Sequence, residues 1–263
     1  MRISPVVPVA ITISLALLAV PPVAGARTAQ EKCDQARLKA WSDFVKCQNA
    51  VLAKPGTGYM PRTIATLKCR RKYFAVWEKF QSDGGLAGTT CQPSGGARFV
   101  DNGDQTVTDN LTLLVWEKKD SLDNSADFGN PHDADNAYSI SATSKLDLED
   151  GTAYSDFLSA LNESPGFAGA LGWRVPTLIE LQTIVLEFAC AKSASDTGDP
   201  GCDCADPCID SIFGPTKSVY YKTSTRNLNE SDQVWAISFE YSDLNPGAAS
   251  NLNDGVRAVR GGL

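Results

Sequence analysis

Three side chains that could bind a metal ion lie close together in the stretch NPHDADNAYS. Asp133, Asp135 and Asn136 place oxygen atoms within four residues, and oxygen is the ligand that Ca²⁺ prefers. The spacing differs from that of an EF-hand loop, which continues to a glycine and a bidentate glutamate. The alternative is a solvated loop whose Asp and Asn side chains accept backbone hydrogen bonds and order its turns. We expect no cofactor, with Ca²⁺ as the alternative, and these three residues are then its candidate ligands.

Residues typical of a catalytic site are sparse. His132 is the single histidine of the chain, and no metalloprotease, serine-hydrolase or phosphate-binding motif accompanies it. A lone histidine in an Asp-rich loop is most often a surface or loop-ordering residue. Residues 93–263 contain 26 Asp and Glu, which allow many carboxylate pairs of the glycosidase type. We therefore expect a protein that is not an enzyme, with an exported hydrolase acting through a carboxylate pair as the alternative.

The cysteines indicate disulfide bonds. The chain has eight, an even number, which is typical of an exported disulfide-bonded protein. Four of them lie in one loop, ACAKSASDTGDPGCDCADPC, at positions Cys190, Cys202, Cys204 and Cys208. A zinc knot is the alternative for this loop, but two disulfides are favoured in an exported chain. All three pairings of these cysteines stay open, although a Cys202–Cys204 bridge would be strained.

The start of the chain predicts export. A short basic start precedes an apolar stretch from about Val6 to Val20, followed by Pro21-Pro22 and Ala24-Gly25-Ala26. This is the pattern of a secretory signal peptide cleaved before Arg27. The apolar run is shorter than the roughly 20 residues that cross a bilayer, which disfavours an uncleaved anchor. We expect residues 1–26 to be removed, no transmembrane segment afterwards, and a secreted, periplasmic or cell-surface location.

The segment after the signal peptide predicts an antiparallel helical hairpin over residues 27–83. Apolar and small residues recur every three or four positions on both sides of Pro55-Gly56. In such a hairpin Cys47 and Cys69 lie level, because both are equally far from the loop centre, and we predict a bridge between them. Cys33 and Cys91 would then form a second bridge at the open end.

Charge divides the remaining chain. Residues 27–92 carry 12 Lys and Arg against 5 Asp and Glu, whereas residues 93–263 carry 11 against 26. Two modules with different surfaces are therefore expected, joined by a Gly/Ser/Pro-rich linker over residues 84–97. The acidic module should avoid nucleic acid and other polyanions. The basic cluster of the first module is interpreted as a solvated helix face and consists of Lys68, Arg70, Arg71 and Lys72.

The second module, residues 98–263, predicts an α+β domain. One helix is expected over Gly151–Ser164, and another follows a capping box formed by Thr177 and Glu180. Two helices among many short strands are typical of the α+β class. The predicted strands are Arg98–Asp101, Gln105–Thr108, Leu111–Trp116, Val219–Thr223, Val234–Phe239 and Gly255–Val259.

The first two of these strands predict a tight hairpin. Asn102-Gly103 is typical of a two-residue type I′ turn, which would pair Asp101 with Asp104 and Phe99 with Thr106. Opposed carboxylates are mildly unfavourable unless solvent or a cation separates them, and we expect no shared ion. The apolar run from Leu111 to Trp116 is then expected to be a buried strand.

Five stretches of the second module occur in a recognisable order: RFVDNGDQTVTDNLTLLVWEK, GWRVPTLIELQTIV, YYKTSTR, VWAISFEYSD and GVRAVRGG. Together they resemble the Lcl C-terminal domain family of bacterial exported proteins, over about residues 98–262. The resemblance implies a C-type-lectin-like fold, in which the terminal strands pair and long loops form the variable surface. In the best-known adhesin of the family this domain is implicated in binding sulfated glycosaminoglycans. Lys222 departs from the pattern, since an aromatic residue usually follows the tyrosine pair.

We therefore expect an exported, non-catalytic binding module that recognises a carbohydrate or another cell-envelope or extracellular ligand through its loops. The candidate ligand-binding residues are Tyr220, Tyr221, Lys222 and Arg226. The two tyrosines could stack on a sugar ring, whereas Trp235 lies in an alternating strand and is expected in the core. The alternatives are the exported hydrolase and a structural protein whose hairpin docks to an envelope complex.

Overall fold

The computed structural model describes residues 28–54, 59–82, 97–143, 149–186, 206–240 and 242–262. The predicted signal peptide and residues 84–96 of the predicted linker lie outside the described residues. The same holds for Cys91, Cys190, Cys202 and Cys204.

Two long helices form the N-terminal part. α1 spans Ala29–Leu52 and α2 spans Tyr59–Ser82. α1 begins at a capping box: the Thr28 hydroxyl accepts a hydrogen bond from the Glu31 N–H, and the Glu31 carboxylate accepts one from the Thr28 N–H. Both partners are local, so this helix start is encoded in four consecutive residues.

The helices run antiparallel and are joined by a disulfide. Cys47 of α1 is bonded to Cys69 of α2, with Cα atoms 5.8 Å apart. Phe44, earlier in α1, stacks on Tyr73, later in α2, with ring centroids 4.7 Å apart. An earlier residue of α1 thus faces a later residue of α2, which is the pairing of antiparallel helices. The predicted Cys47–Cys69 bridge is confirmed.

Two further cysteines, Cys33 and Cys208, are disulfide-bonded. The predicted partner of Cys33, Cys91, and the other cysteines of the second module are outside the described residues, so these pairings stay predictions. A disulfide at Cys208 removes the thiolate that a zinc knot in this loop would use.

The second part has two antiparallel sheets, which confirms the α+β class. The first sheet has the order β1-β2-β3-β7, with β1 at Phe99–Asp101, β2 at Thr106–Asp109, β3 at Leu114–Glu117 and β7 at Val259–Gly261. The second has the order β4-β5-β6, at Tyr220–Arg226, Gln233–Ser238 and Leu244–Ala248. A π-helical segment at Ala153–Leu158 continues into α3 at Ser159–Asn162, and α4 spans Leu178–Ile184.

The main core joins both sheets to α4. Trp116 of the first sheet, Leu181 of α4 and Ile237 of the second sheet are fully buried in one apolar cluster. The predicted capping box of α4 is present, since Thr177 and Glu180 exchange hydrogen bonds. Trp235 is buried in the same cluster, as its alternating strand predicts.

The predicted register of the first hairpin is wrong. Asp101 pairs with Val107 and Phe99 with Asp109, so the connection is longer than the two-residue turn. Two side chains hold this longer loop: the Asp101 carboxylate accepts the Gly103 N–H at 2.9 Å, and Asp104 accepts the Thr106 N–H at 3.1 Å. Asp101 also pairs with Lys118 at 2.5 Å, so the two carboxylates have separate partners and do not face each other.

The predicted strand Leu111–Trp116 is also corrected, because it begins only at Leu114. Before it the chain turns around Asp109, whose carboxylate accepts the Leu111 N–H at 2.9 Å and the Thr112 hydroxyl at 3.0 Å. Leu113 takes a positive φ of 58° and is partly exposed. The apolar run therefore contains a turn, which its hydrophobicity does not reveal.

Sequence reasoning missed β6, LNPGA, and placed the last strand too early. Pro and Gly weaken the strand signal, but β6 is an edge strand, where Pro246 needs no second partner. β7 begins at Val259, whereas the prediction was Gly255–Val259. Gly255 instead lies against the ring of Tyr221, where a Cβ atom would come within 2.7 Å of a ring carbon.

The helical hairpin packs against the second part and is not a detached module. The side-chain amides of Gln48 and Gln182 meet at 2.5 Å, between α1 and α4. The guanidinium of Arg62 lies 5.4 Å from the Trp235 ring centroid. Leu52 and Leu67 pack against the main core. The hairpin therefore covers apolar surface of the sheet domain.

The predicted solvated basic face is present at three of its four residues. Lys68, Arg71 and Lys72 are exposed, but Arg70 is buried with its guanidinium 4.9 Å from the Phe74 ring centroid. The prediction of a solvated helix face therefore holds for these three side chains and is wrong for Arg70.

We predict that replacing both Cys47 and Cys69 by alanine lowers the free energy of unfolding by about 3 kcal/mol. The bridge closes a segment with a sequence separation of 22 residues, and releasing it gives the unfolded chain more conformational entropy. Urea denaturation of both proteins measures the difference. Leu38→Ala, an exposed apolar change on α1, is the control and should cost less than about 0.5 kcal/mol. A double variant as stable as the control would contradict the prediction.

Candidate ligand-binding cleft

The predicted ligand-binding residues of β4 lie at different depths. Tyr221 is 1% exposed and stacks on Phe239, with ring centroids 4.5 Å apart. Lys222 is buried as well, whereas Tyr220 is half-buried and Arg226 is exposed at the end of the strand. The structure therefore does not bring these four side chains together on one surface, because strand alternation and the β-bulge after Lys222 separate them.

Asp135, a predicted metal ligand, is already bound by the protein. Its Oδ2 accepts the backbone N–H groups of Asp123 and Asn124 at 2.9 and 2.6 Å. Its Oδ1 lies 3.0 Å from Nζ of Lys217. Burial would raise the pKa of Asp135, but Lys217 and the two N–H groups outweigh it, so the pKa lies below its ordinary value. This carboxylate is held ionised and in place.

The other two candidate ligands also order the loop. Asp133 accepts the Asp127 N–H at 3.0 Å and the Asp135 N–H at 2.8 Å. Asn136 donates through its side-chain amide to the carbonyls of Asp127 and Asn130, both at 2.8 Å. Within the described ranges, no group of three or more His, Cys, Asp or Glu is arranged to bind a metal ion. The turn-ordering role considered from the sequence is what these contacts show.

A buried charge network lies beneath the same loop. Oε1 of Glu117 is 2.9 Å from Nζ of Lys119 and 3.1 Å from Nδ1 of His132, and Oε2 accepts the Ala258 N–H at 3.1 Å. Arg257 is fully buried beside it and donates to the carbonyl of Glu117 at 3.4 Å. Burial opposes ionisation of Glu117, but Lys119, His132 and Arg257 outweigh it and hold its pKa at about 2.

This network ties the Asp-rich loop to the first sheet. Lys119 donates to the carbonyl of Pro131 at 3.1 Å, and its Nζ lies 4.7 Å from the ring centroid of Phe157. His132, the next residue of the loop, is buried against Phe167 at 4.2 Å. The contacts with Glu117 and Phe167 hold His132 in place, so it helps to order the loop, one of the two roles expected for a lone histidine in such a sequence.

An open cleft lies next to the ordered loop. Its volume is about 510 Å³, within the range of small-molecule sites. Phe128 is 63% exposed and Leu252 is 57% exposed, although both are large apolar side chains. The lining residues come from four separate segments: Ala126, Phe128, Asp135, Ala137, Thr152, Asp156, Lys217, Leu252 and Asn253.

The aromatic group of the cleft rests on a rigid base. The Phe128 ring meets the Tyr138 ring edge-on, at 5.8 Å and 82°. Tyr138 in turn stacks on Phe157 at 5.0 Å, inside a second apolar cluster. Phe128 is therefore supported by Tyr138 while most of its side chain meets solvent, an arrangement in which an aromatic ring can bind the apolar face of a ligand.

The charges of the cleft are few. Of the described lining residues, Lys217 is the cation, and it is paired with Asp135. Asp156 adds an exposed carboxylate whose Oδ1 accepts the Ser155 hydroxyl at 2.7 Å. The two carboxylates therefore have different surroundings: Asp135 is paired with Lys217, whereas Asp156 is exposed.

The cleft lies within a stretch that matches a known family. Residues 105–260, more than half of the chain, match the Lcl C-terminal domain. The chain belongs to the Lcl C-terminal domain family. The predicted membership is thus confirmed, and the match contains every lining residue of the cleft while excluding α1 and α2. No curated protein and no solved structure matches the chain.

Residues of this Lcl C-terminal domain that sequence reasoning missed are Phe128, Leu252 and Lys217. Phe128 lies between Asp127 and Gly129 in a polar loop, where an isolated aromatic residue is a weak but visible signal. The other two carried no signal, since their importance comes from which segments meet.

None of the helices in the described ranges is both long and apolar enough to cross a bilayer.

We predict that Glu117→Gln lowers the free energy of unfolding by about 3–5 kcal/mol, because it leaves Lys119 and Arg257 buried without a counter-charge. The pKa of Glu117 is depressed from 4.5 to about 2, so its stabilising contribution is present above pH 4.5. That contribution is lost as the pH falls toward 2. Denaturant unfolding between pH 2 and 7 measures both effects.

The matched control is Asp232→Asn, an exposed carboxylate. It should change stability by less than about 0.5 kcal/mol at every pH. A Glu117→Gln protein whose acid limb matches that of the unmodified protein would show that this network does not govern acid stability.

Proposed function

We propose that this protein is an exported, non-catalytic binding module that recognises a carbohydrate or another cell-envelope ligand in the cleft around Phe128. One observation carries the proposal: two large apolar side chains, Phe128 and Leu252, are exposed and line one depression together with polar groups. Sugar rings have an apolar face and a rim of hydroxyls. The aromatic face of Phe128 suits the first, and Asp156 and Asn253 suit the second.

A C-type-lectin-like arrangement is part of this proposal. Its support is the pairing of the last strand with an early one: Val259 of β7 lies opposite Trp116 of β3. The chain ends of the domain therefore share a sheet, and the long loops between are left to build the cleft. The family resemblance points to the same arrangement.

The charge of the molecule favours a neutral or weakly charged sugar. Residues 93–263 carry a net charge of −15, and the cation of the cleft is paired with Asp135. A sulfated polymer would be repelled from this surface by long-range electrostatics. Exposed cations lie instead on the helical hairpin, at Lys68, Arg71 and Lys72.

The predicted signal peptide over residues 1–26 places this activity outside the cytoplasm: secreted, periplasmic or on the cell surface. The predicted division into hairpin, linker and Lcl C-terminal domain then assigns ligand binding to the last. The hairpin would support that domain by covering its apolar surface through Leu52 and Leu67.

We predict that Phe128→Ala weakens glycan binding about tenfold, because an aromatic contact of this kind is worth about 1.4 kcal/mol. A glycan array probed with residues 27–263 identifies the sugar, and titration calorimetry with that sugar measures the change. Binding should persist after chelation, since the Asp133 and Asp135 oxygens are already occupied by protein groups.

The matched control is Leu228→Ala, a side chain 83% exposed in the β4–β5 connection and outside the cleft lining. It should bind as the unmodified protein does. An equal loss of affinity in both variants would show that the cleft is not the binding site. Release of reducing sugar ends from the bound glycan would instead support the exported hydrolase.

A further inference from the structure

Two distant segments supply the exposed apolar groups of the cleft. The 126–138 segment carries Phe128, and the 249–254 loop, which follows β6, carries Leu252. The spacing of these groups therefore depends on whatever holds the two segments together. Within these two segments, Tyr138 N donates to the Asp254 carbonyl at 3.4 Å, close to the limit for a hydrogen bond. Just beyond the first segment, Ile140 N and Ser141 N donate to the Ala249 carbonyl at 2.8 and 3.2 Å, so the start of the loop is held by the backbone and its tip, around Leu252, depends on other contacts.

Lys222 lies where the two segments meet. Its ammonium group donates to the carbonyl of Tyr138 at 3.4 Å and to the carbonyl of Asn251, and it lies 3.8 Å from the Asp254 carboxylate. The side chain is fully buried, so water does not compete for these contacts. An ammonium group offers three donors, and these three polar contacts all lie on the two segments.

Each contact acts on a cleft residue through a short path. Tyr138 supports the Phe128 ring from below. Asn251 and Asp254 bracket Leu252 and Asn253 along the chain. We propose that Lys222 is a positioning residue that fixes the Phe128 side of the cleft relative to the Leu252 side by tying both segments to β4. This inference takes the cleft as the ligand site from the proposed function, but the tie itself is testable without a ligand.

A neutral side chain could not replace the ammonium group. The carbonyls of Tyr138 and Asn251 would each lose the donor that Lys222 supplies, and an acceptor left without a donor away from water carries a free-energy cost. That cost falls on the 249–254 loop, since β4 and β5 keep their own ladder, with Lys222 opposite Ala236. The loop should therefore loosen before the sheet does.

The charge of Lys222 is adjustable within an accessible pH range. Burial lowers its pKa to about 8, and Asp254, the carboxylate that faces it, opposes this effect. Burial raises the pKa of Asp254 in turn. Tyr138 faces Lys222 with its carbonyl, and burial raises the pKa of its phenol, so that group stays neutral. The tie should accordingly weaken as the pH rises through 8.

Hydrogen exchange of the intact chain tests the inference. Two N–H groups of the 249–254 loop serve as probes. The N–H of Asn251 donates to the carbonyl of Ala248, at the end of β6, at 3.1 Å, and that of Asn253 donates to the side-chain oxygen of Asn251 at 3.0 Å. In Lys222→Met we expect their exchange to accelerate at least tenfold at pH 7, while exchange in β5 stays unchanged. Equal protection of the loop in both proteins would overturn the inference.

The unmodified protein provides a test that does not depend on a variant folding. After correction for intrinsic rates, protection of the loop relative to β5 should fall between pH 7 and 9, with a midpoint near 8. Asp254→Asn removes the charge that raises the Lys222 pKa, so the midpoint should move to lower pH. A ratio that is flat with pH, or a midpoint that moves up or not at all, would overturn the inference.

A ligand arm separates this inference from the proposed function. With the sugar found on the array as the probe, Lys222→Met should weaken binding at pH 7, and the unmodified protein should lose affinity above pH 8. If no sugar binds while the loop behaves as expected, the carbohydrate assignment fails and the tie stands. If a sugar binds equally to both proteins, the positioning role is wrong.

Discussion

The ion pair between Glu117 and Lys119 is buried beside Arg257, just before the last strand, and the rest of the domain depends on this interaction. Glu117 ends β3, and its carboxylate receives the Ala258 N–H from the segment entering β7. Lys119 and His132 extend the same group of charges to the Asp-rich loop. One carboxylate therefore joins the first sheet, the end of the chain and the loop beside the cleft. Removing one partner of so buried an ion pair leaves an uncompensated charge and lowers stability strongly. Replacing the whole pair by apolar residues of similar volume is often neutral.

The shape of the cleft depends on this Asp-rich loop, which the buried charges hold in place. Asp133 and Asp135 use their oxygens to hold backbone N–H groups, and the loop ordered in this way presents Phe128 outward. Lys222 holds the 249–254 loop in a similar way, by donating to the carbonyls of Tyr138 and Asn251. In both cases buried polar groups order a loop that has little apolar core of its own. Because the loop is already ordered, binding of a ligand to the exposed aromatic ring loses little conformational entropy.

Features set by neighbouring residues were predictable. The capping box at Thr177 and the Cys47–Cys69 bridge follow from local spacing and from helical periodicity. The first hairpin was predictable as a hairpin, but its register was not. Asp101 and Asp104 each accept a backbone N–H two residues ahead, and these two bonds select a longer loop than Asn102-Gly103 favours. The Leu111 to Trp116 run failed for a related reason, since Asp109 folds its first half into a turn.

The sequence by itself determined the α+β class, the helical hairpin with its bridge, the family membership and the uneven charge, because periodicity, capping residues and composition act locally or sum along the chain. Only the tertiary structure decided which polar residues are buried and which apolar ones are exposed. Lys222 was a predicted ligand-binding residue and is enclosed, whereas Phe128, an isolated aromatic residue that sequence reasoning missed, is exposed and lines the cleft. Burial depends on which distant segments meet, and that contact pattern is a property of the packed chain rather than of any stretch within it.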